Sequence, residues 1–219
     1  MKRILAMLVV CLLAVSIFTG CNTKAAVDKN VKPEEHFSQY KVLTDLYGTP
    51  WRDVLTQLKI DKQELKTDGL NYVGIPLQDT YADITFDVFL RFRGEDNHLT
   101  GVEYAAEYSY PENEEQLLRD LVRINRKLIA DFGDPSNTSP VFNWVEKYMG
   151  EKWNRAIPYW QDMQVLKRLL DNDYMGSLLL WNLETVASEE TLKYDVDHSL
   201  AVMVAIDAEN GTASIILSY

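Results

Sequence analysis

The sequence has few cysteines and histidines and no apolar run long enough to cross a membrane. Its 219 residues include 2 cysteines and 3 histidines. Cys11 lies within the longest apolar stretch, residues 4–18, which is shorter than the roughly 20 residues that a transmembrane helix needs. If that stretch is removed during export, Cys21 is the only cysteine left and no intramolecular disulfide can form.

Basic residues are scarce relative to acidic ones. The chain has 22 lysines and arginines and 33 aspartates and glutamates. Because residues 1–20 contain Lys2 and Arg3 but no acidic residue, the rest of the chain carries a net charge of −13. Such a charge repels phosphate backbones and anionic lipid. We therefore expect no nucleic-acid binding, and membrane contact through an anchor rather than through the protein surface.

The first twenty residues have the layout of an export signal. Two basic residues precede the apolar stretch, and small residues close it before Cys21. Phe18-Thr19-Gly20-Cys21 resembles the lipobox of bacterial lipoproteins, in which a leucine usually stands at the position of Phe18. The resemblance implies cleavage before Cys21, lipid on its thiol and a membrane anchor on the extracytoplasmic side. The alternatives are an uncleaved N-terminal anchor and a secretory signal without lipidation.

Residues 21–33, which follow the signal peptide at 1–20, are polar and without periodicity, as is typical of a flexible tether. The remaining chain divides into two halves, 34–110 and 111–219, the second with an insertion at 136–176. Each half has a helix that ends at a Gly-x-Pro triplet and then an antiparallel pair. This shared plan indicates a diverged duplication within one compact domain, and chance similarity is the alternative.

Hydrophobic periodicity predicts the elements of each half. In the first half it predicts a helix from Glu34, a helix from Trp51, a long connection over 61–80 with one short strand at 70–75, and a hairpin of 84–92 with 102–110. In the second half it predicts helices over 111–132 and 158–171, an irregular stretch over 136–158, and strands at 177–183, 200–207 and 212–219. The last two strands flank Asn210-Gly211, a hairpin signal that sets Val204 opposite Leu217. We expect an α+β fold, a mostly antiparallel sheet of about five to seven strands with helices packed on one face.

Part of the chain resembles the SmpA/OmlA-type and β-lactamase-inhibitor-protein-like module. The residues that carry the resemblance are Tyr47-Gly48-Thr49-Pro50-Trp51, Asp53-Val54-Leu55, Leu58, Val88, Leu90, Phe92, Leu99-Thr100-Gly101-Val102 and Tyr104. The match covers about residues 45–110, and more faintly 117–135 with 177–219. Two features depart from the family motif. The Gly-Met pair that usually begins the motif is Gly48-Thr49 here, and the glycine-proline pair that usually ends its helix is missing after Leu58. These modules are small extracytoplasmic α+β domains, often lipoproteins, so the resemblance implies protein binding without assigning a binding residue.

No catalytic or metal-binding motif stands out. The sequence has no Gly-x-Ser-x-Gly elbow and no glycine-rich phosphate loop, and His36, His98 and His198 lack a second ligand at metal spacing. The acid-rich stretches 171–173 and 195–197 lack the glycine and distal glutamate of an EF-hand. On a strand, Glu103 and Glu107 are about 13 Å apart, which favours a solvated face over a catalytic pair. We expect no catalytic residue, metal ligand or cofactor.

The one enrichment that suggests a contact surface is aromatic: Trp144, Tyr148, Trp153, Tyr159 and Trp160. Exposed aromatic residues dominate the energetics of protein interfaces. The alternative is that these residues pack the insertion onto the sheet. We therefore expect a lipid-anchored, non-enzymatic protein-binding or envelope-assembly module. A hydrolase acting on the cell wall and a lipoprotein that binds a small ligand or a metal are the alternatives.

Overall fold

Seven strands form one antiparallel sheet in a computed structural model that describes residues 32–65, 67–69, 72–93, 97–136, 139–150, 154, 156–172, 177–182 and 199–219. The strands are β1 (Thr67–Gly69), β2 (Tyr72–Tyr81), β3 (Ile84–Arg93), β4 (His98–Ser109), β5 (Leu179–Asn182), β6 (Ser199–Asp207) and β7 (Thr212–Ser218). Their order across the sheet is β1-β2-β3-β4-β7-β6-β5. Because β4 pairs with β7, both halves of the chain contribute to a single sheet.

The described residues also form five α-helices, which pack on one face of the sheet. They are α1 (Tyr40–Thr44), α2 (Trp51–Leu58), α3 (Glu114–Phe132), α4 (Ser139–Met149) and α5 (Met163–Leu170), with short 3₁₀ turns at Pro33–Glu35, Lys62–Glu64 and Tyr159–Gln161. The predicted α+β fold is confirmed.

The core lies between this helical layer and the sheet. One row of apolar side chains, each 0% exposed, crosses six strands; it consists of Ile75, Val88, Tyr104, Leu217, Val202 and Leu179. The predicted apolar stripe of α3 faces the core, with Leu117, Leu121, Ile124 and Leu128 also 0% exposed. Burying a leucine or isoleucine side chain contributes about 1.5–3 kcal/mol. The register of the sheet and the spacing of α3 therefore support the same core.

The two predicted hairpins differ in how well their registers were predicted. In the first, Leu90 lies opposite Val102 and Val88 opposite Tyr104, so the shared face is confirmed. In the second, Val204 lies opposite Ile215 instead of Leu217. The loop has four residues rather than two, because an Asp207 oxygen accepts a hydrogen bond from the Asn210 amide at 3.0 Å. A shift of two residues leaves every side chain on its predicted face.

Two stretches predicted as mostly irregular contain regular elements. Within 61–80, the short strand predicted at 70–75 corresponds to a longer one, β2, which begins at Tyr72, and Thr67–Gly69 forms β1. The alternation of β2 is broken by Pro76 and by an irregularity between Ile75 and Gln78. Within 136–158, residues 139–149 form α4. The start of the predicted helix at 158–171 is also wrong, because Asp162 caps α5 by accepting hydrogen bonds from the amides of Gln164 and Val165.

On the sheet face opposite the core row, Glu103 is buried, so the predicted solvated face is wrong for Glu103 and right only for the exposed Glu107. The Nη1 atom of Arg91 lies 3.5 Å from Oε1 of Glu103, and both side chains are about 5% exposed or less. Tyr72 donates a hydrogen bond to Oε2 of Glu103 at 2.9 Å. Gly101 lies opposite Arg91 and leaves room for its guanidinium, since a Cβ there would be 2.2 Å from Nη2.

Candidate functional site

Helix α4 presents the largest exposed aromatic side chains among the described residues. Its Val141 and Val145 are 0% exposed and pack into the core, whereas Phe142 is 42% and Tyr148 46% exposed. Trp144 precedes Tyr148 by one helical turn and stacks on it, with ring centroids 4.3 Å apart and planes at 28°. The ammonium of Lys147 lies 5.0 Å from the Tyr148 ring. We call Trp144 and Tyr148 the Trp144–Tyr148 stack.

The other predicted interface residues have different surroundings. Tyr159 is 1% exposed and donates a hydrogen bond from its hydroxyl to the Leu178 carbonyl at 2.5 Å, so its predicted place on a contact surface is wrong. Trp160 is half-buried, and its backbone carbonyl accepts from Nδ2 of Asn125 on α3 at 3.1 Å. Trp153 lies outside the described residues. Of the predicted residues that the structure describes, Tyr148 alone is strongly exposed, and Trp144 is half-buried like Trp160 but supports Tyr148 by stacking on it.

The insertion also supports the end of the sheet. The edge strand β5 is bonded by insertion residues at both of its ends, since Tyr159 donates to the carbonyl of Leu178 and Ser136 accepts from the amide of Asn182 at 2.9 Å. Edge strands expose unpaired backbone groups that invite pairing with other chains. Ser136 and Tyr159 of the insertion therefore help to protect this edge. The exposed Phe142 and Tyr148 of α4 take no part in these bonds and stay available for contacts.

A second polar cluster joins the start of the described chain to α3. Nδ1 of His36 lies 3.2 Å from the Asp131 carboxylate, which also accepts a hydrogen bond from the Tyr81 hydroxyl at 2.8 Å and contacts the Lys127 ammonium at 2.9 Å. The His36 ring packs edge-on against Phe132 at 4.9 Å. Of these three contacts, the one made by His36 links the Pro33–Phe37 segment to α3, whereas those of Tyr81 and Lys127 hold the carboxylate in place. Sequence spacing gave no sign of this cluster, because His36 and Asp131 are far apart in the chain.

Asp79 fastens the same segment to the sheet. Its buried carboxylate accepts hydrogen bonds from Ser38 Oγ and from the Gln39 amide, both at 3.1 Å, and from the Thr80 amide at 2.8 Å. Phe37, which follows His36 and precedes Ser38 in sequence, is 1% exposed and stacks on the Tyr81 ring, with the ring centroids 4.7 Å apart. We call residues 33–39 the arm, since it continues from the predicted tether and is clamped onto the domain.

The predicted histidine and acidic sites differ in how far the structure describes them. His98 is 8% exposed on β4, and residue 98 forms a backbone bridge with Pro50. His198 and the stretch 195–197 lie outside the described residues, as does Asp173. Within the described ranges, no three histidine, cysteine, aspartate or glutamate side chains are grouped as a metal site requires.

Comparisons with known proteins find no matching family model, no similar curated protein and no similar solved structure. In the part of the chain that the structure describes, none of the helices has both the length and the apolar character to span a bilayer. Cys21 and the predicted leader lie outside that part.

Proposed function

We propose that this chain is a lipid-anchored extracytoplasmic protein that acts without catalysis, by binding a protein partner in the cell envelope through the Trp144–Tyr148 stack. The lipobox-like Phe18-Thr19-Gly20-Cys21 supports the anchor. The exposed Tyr148 ring, stacked on the half-buried Trp144, supports the binding role and is the observation that carries the proposal. Only four large apolar side chains among the described residues are strongly exposed, and Phe142, Tyr148 and Ile157 all come from the insertion.

The exposed area of Tyr148 is large enough to matter for binding. A tyrosine side chain buries about 150–250 Å² when fully covered. With 46% of Tyr148 exposed, a partner could cover roughly 100 Å² more of it, which is worth about 2 kcal/mol at 25 cal/mol per Å². That is the threshold usually taken for an interface hot spot. Because Trp144 supports the ring from beneath, the side chain loses little freedom on binding.

Metabolic labelling with a fatty-acid analogue tests the anchor. Wild-type protein should incorporate label and sediment with membranes, because the thiol of Cys21 carries the lipid. The Cys21→Ala variant should stay unlabelled and at precursor length. Equal labelling of variant and wild type would refute lipidation at this residue.

Crosslinking in intact cells followed by mass spectrometry tests the binding role. Wild type should yield a defined protein adduct that Tyr148→Ser strongly reduces, because a loss of about 2 kcal/mol lowers the affinity about thirtyfold. Val42→Ser is the matched control, since Val42 is 53% exposed on α1 and outside the insertion. Equal adduct yields from Tyr148→Ser and wild type, with Val42→Ser unchanged, would contradict this use of the stack.

A further inference from the structure

Two buried tyrosine hydroxyls beneath the arm have no hydrogen-bond partner in the described part of the chain. They belong to Tyr104 on β4 and to Tyr219, which directly follows β7. Tyr104 is 0% and Tyr219 1% exposed. Leaving a buried hydroxyl unbonded costs about 1–3 kcal/mol, and buried polar groups in folded proteins are almost always bonded. Two such hydroxyls in one cluster therefore indicate a shared partner.

The two side chains are neighbours within one aromatic cluster. Their ring centroids are 5.5 Å apart with planes at 83°. The Phe37 ring of the arm packs against both, at 5.2 Å from each centroid, and the Tyr40 ring lies 4.9 Å from that of Tyr219. The rings meet from β4, from the residue after β7 and from the arm, and both hydroxyl oxygens are buried. A partner that the two hydroxyls share therefore lies inside the fold, where the arm packs.

The chemistry of the surrounding groups restricts what can fill this space. Burial raises the pKa values of both Tyr104 and Tyr219 above the usual value, so both stay neutral phenols that can donate and accept one bond each. Asp79, the acid whose charge acts on Tyr104, already accepts three hydrogen bonds from the arm and β2. The negative charge of Asp79 acts on Tyr104 in the same direction as burial, so an anion is disfavoured here, and a cation would lose its hydration shell on burial. The occupant that fits is therefore neutral, small and able to hydrogen-bond.

We propose that the hydroxyls of Tyr104 and Tyr219 form a buried site for one small uncharged hydrogen-bonding molecule, with water as its occupant. A water molecule donates and accepts two bonds each, so it can bond both phenols at once. Enclosed in this way, it joins β4 to the end of β7 beneath the point where the arm docks. The site is independent of any contact made by the Trp144–Tyr148 stack.

The sign of a stability change tests the site. If the molecule is present, Tyr104→Phe and Tyr219→Phe each remove one of its hydrogen bonds and should lower the folding equilibrium constant in urea about fivefold. The double variant should lower the folding equilibrium constant by less than the product of the two single-variant factors, because either substitution weakens the same bridge. Tyr148→Phe, at an exposed ring, is the control and should leave the constant unchanged.

The contrary result is equally distinct. If the space is dry, each substitution removes an unbonded hydroxyl, so both variants should be as stable as wild type or more stable. That outcome would overturn the proposal. Refolding wild type from urea in plain buffer identifies the occupant: full recovery of the urea midpoint indicates water, whereas a lower midpoint indicates a small molecule acquired in the cell.

Discussion

Placing a methyl group at Gly101 should break the buried ion pair between Arg91 and Glu103. A Cβ at this position would lie 2.2 Å from Nη2, 2.8 Å from Nε and 2.9 Å from Cζ of Arg91, so the whole guanidinium must move. Arg91 is only 4% exposed and has little space to enter. Its displacement leaves the Glu103 carboxylate, 4% exposed, without its cation.

Breaking one side of a buried pair costs about 3–5 kcal/mol. The expected loss for Gly101→Ala is about 3 kcal/mol, since Tyr72 still donates to Glu103. With a urea slope of about 1–3 kcal/mol per molar for a domain of this class, the unfolding midpoint should fall by about 1–3 M. Equilibrium unfolding followed by tryptophan fluorescence measures this shift.

A double variant that lacks the ion pair distinguishes loss of the pair from steric crowding by the new methyl group. Arg91→Met/Glu103→Leu should have nearly the same free energy of unfolding as wild type, because well-packed apolar residues often substitute for buried pairs. In that background Gly101→Ala should cost less than about 1 kcal/mol, because the flexible methionine can bend away from the new methyl. If the free energy of unfolding of Gly101→Ala differs from that of wild type by less than ~0.5 kcal/mol, the usual limit for a surface substitution, the reasoning is refuted.

Three further predictions concern the arm, the insertion and the buried tyrosines. Asp79→Ala should cost about 2 kcal/mol and expose residues 33–39 to limited proteolysis, since it removes the acceptor for Ser38 and Gln39; an arm that stays equally protected would count against the clamp. Tyr159→Phe should lower the thermal midpoint, because the Leu178 carbonyl loses its donor, whereas Tyr148→Phe should not; equal midpoints would show that the hydroxyl of Tyr159 contributes nothing. Burial raises the pKa of Tyr40 to about 12 and those of Tyr104 and Tyr219 above the usual value, so stability present below pH 10 should be lost as the pH rises through these folded-state values. Ultraviolet titration should show these tyrosines ionising together with unfolding, and a simple titration near the usual pKa of 10.0 in the folded chain would contradict this.

The elements with strong periodicity were predictable from the sequence. The spacing of Leu117, Leu121 and Ile124 specifies one helical face, and all three are buried in α3. The alternation in 84–92 and 102–110 specifies one sheet face, and the observed pairs Val88–Tyr104 and Leu90–Val102 follow from it. In both cases the local pattern and the tertiary packing favour the same structure.

Other parts of the structure depend on contacts that a local pattern does not encode. Helix α4 combines β-branched and aromatic residues of modest helix propensity, and its stability comes from packing Val141 and Val145 into the core. The burial of Glu103 depends on Gly101, which matters only because it lies opposite Arg91. Tyr159 is buried in the core and donates to the carbonyl of Leu178, the residue just before the edge strand, a contact between residues 19 positions apart that a local pattern does not encode. The duplication stays a prediction.

A photo-crosslinking amino acid at position 148 tests the central claim most directly. Placed in the full-length protein in living cells, it should form one dominant protein adduct, and the same residue at position 42, also exposed, should not. The adduct partner, once purified, should bind wild-type protein, bind Tyr148→Ser about thirtyfold more weakly, and also bind Trp144→Ser more weakly than wild type. Equal adducts from positions 148 and 42, or undiminished binding by both variants, would contradict the account.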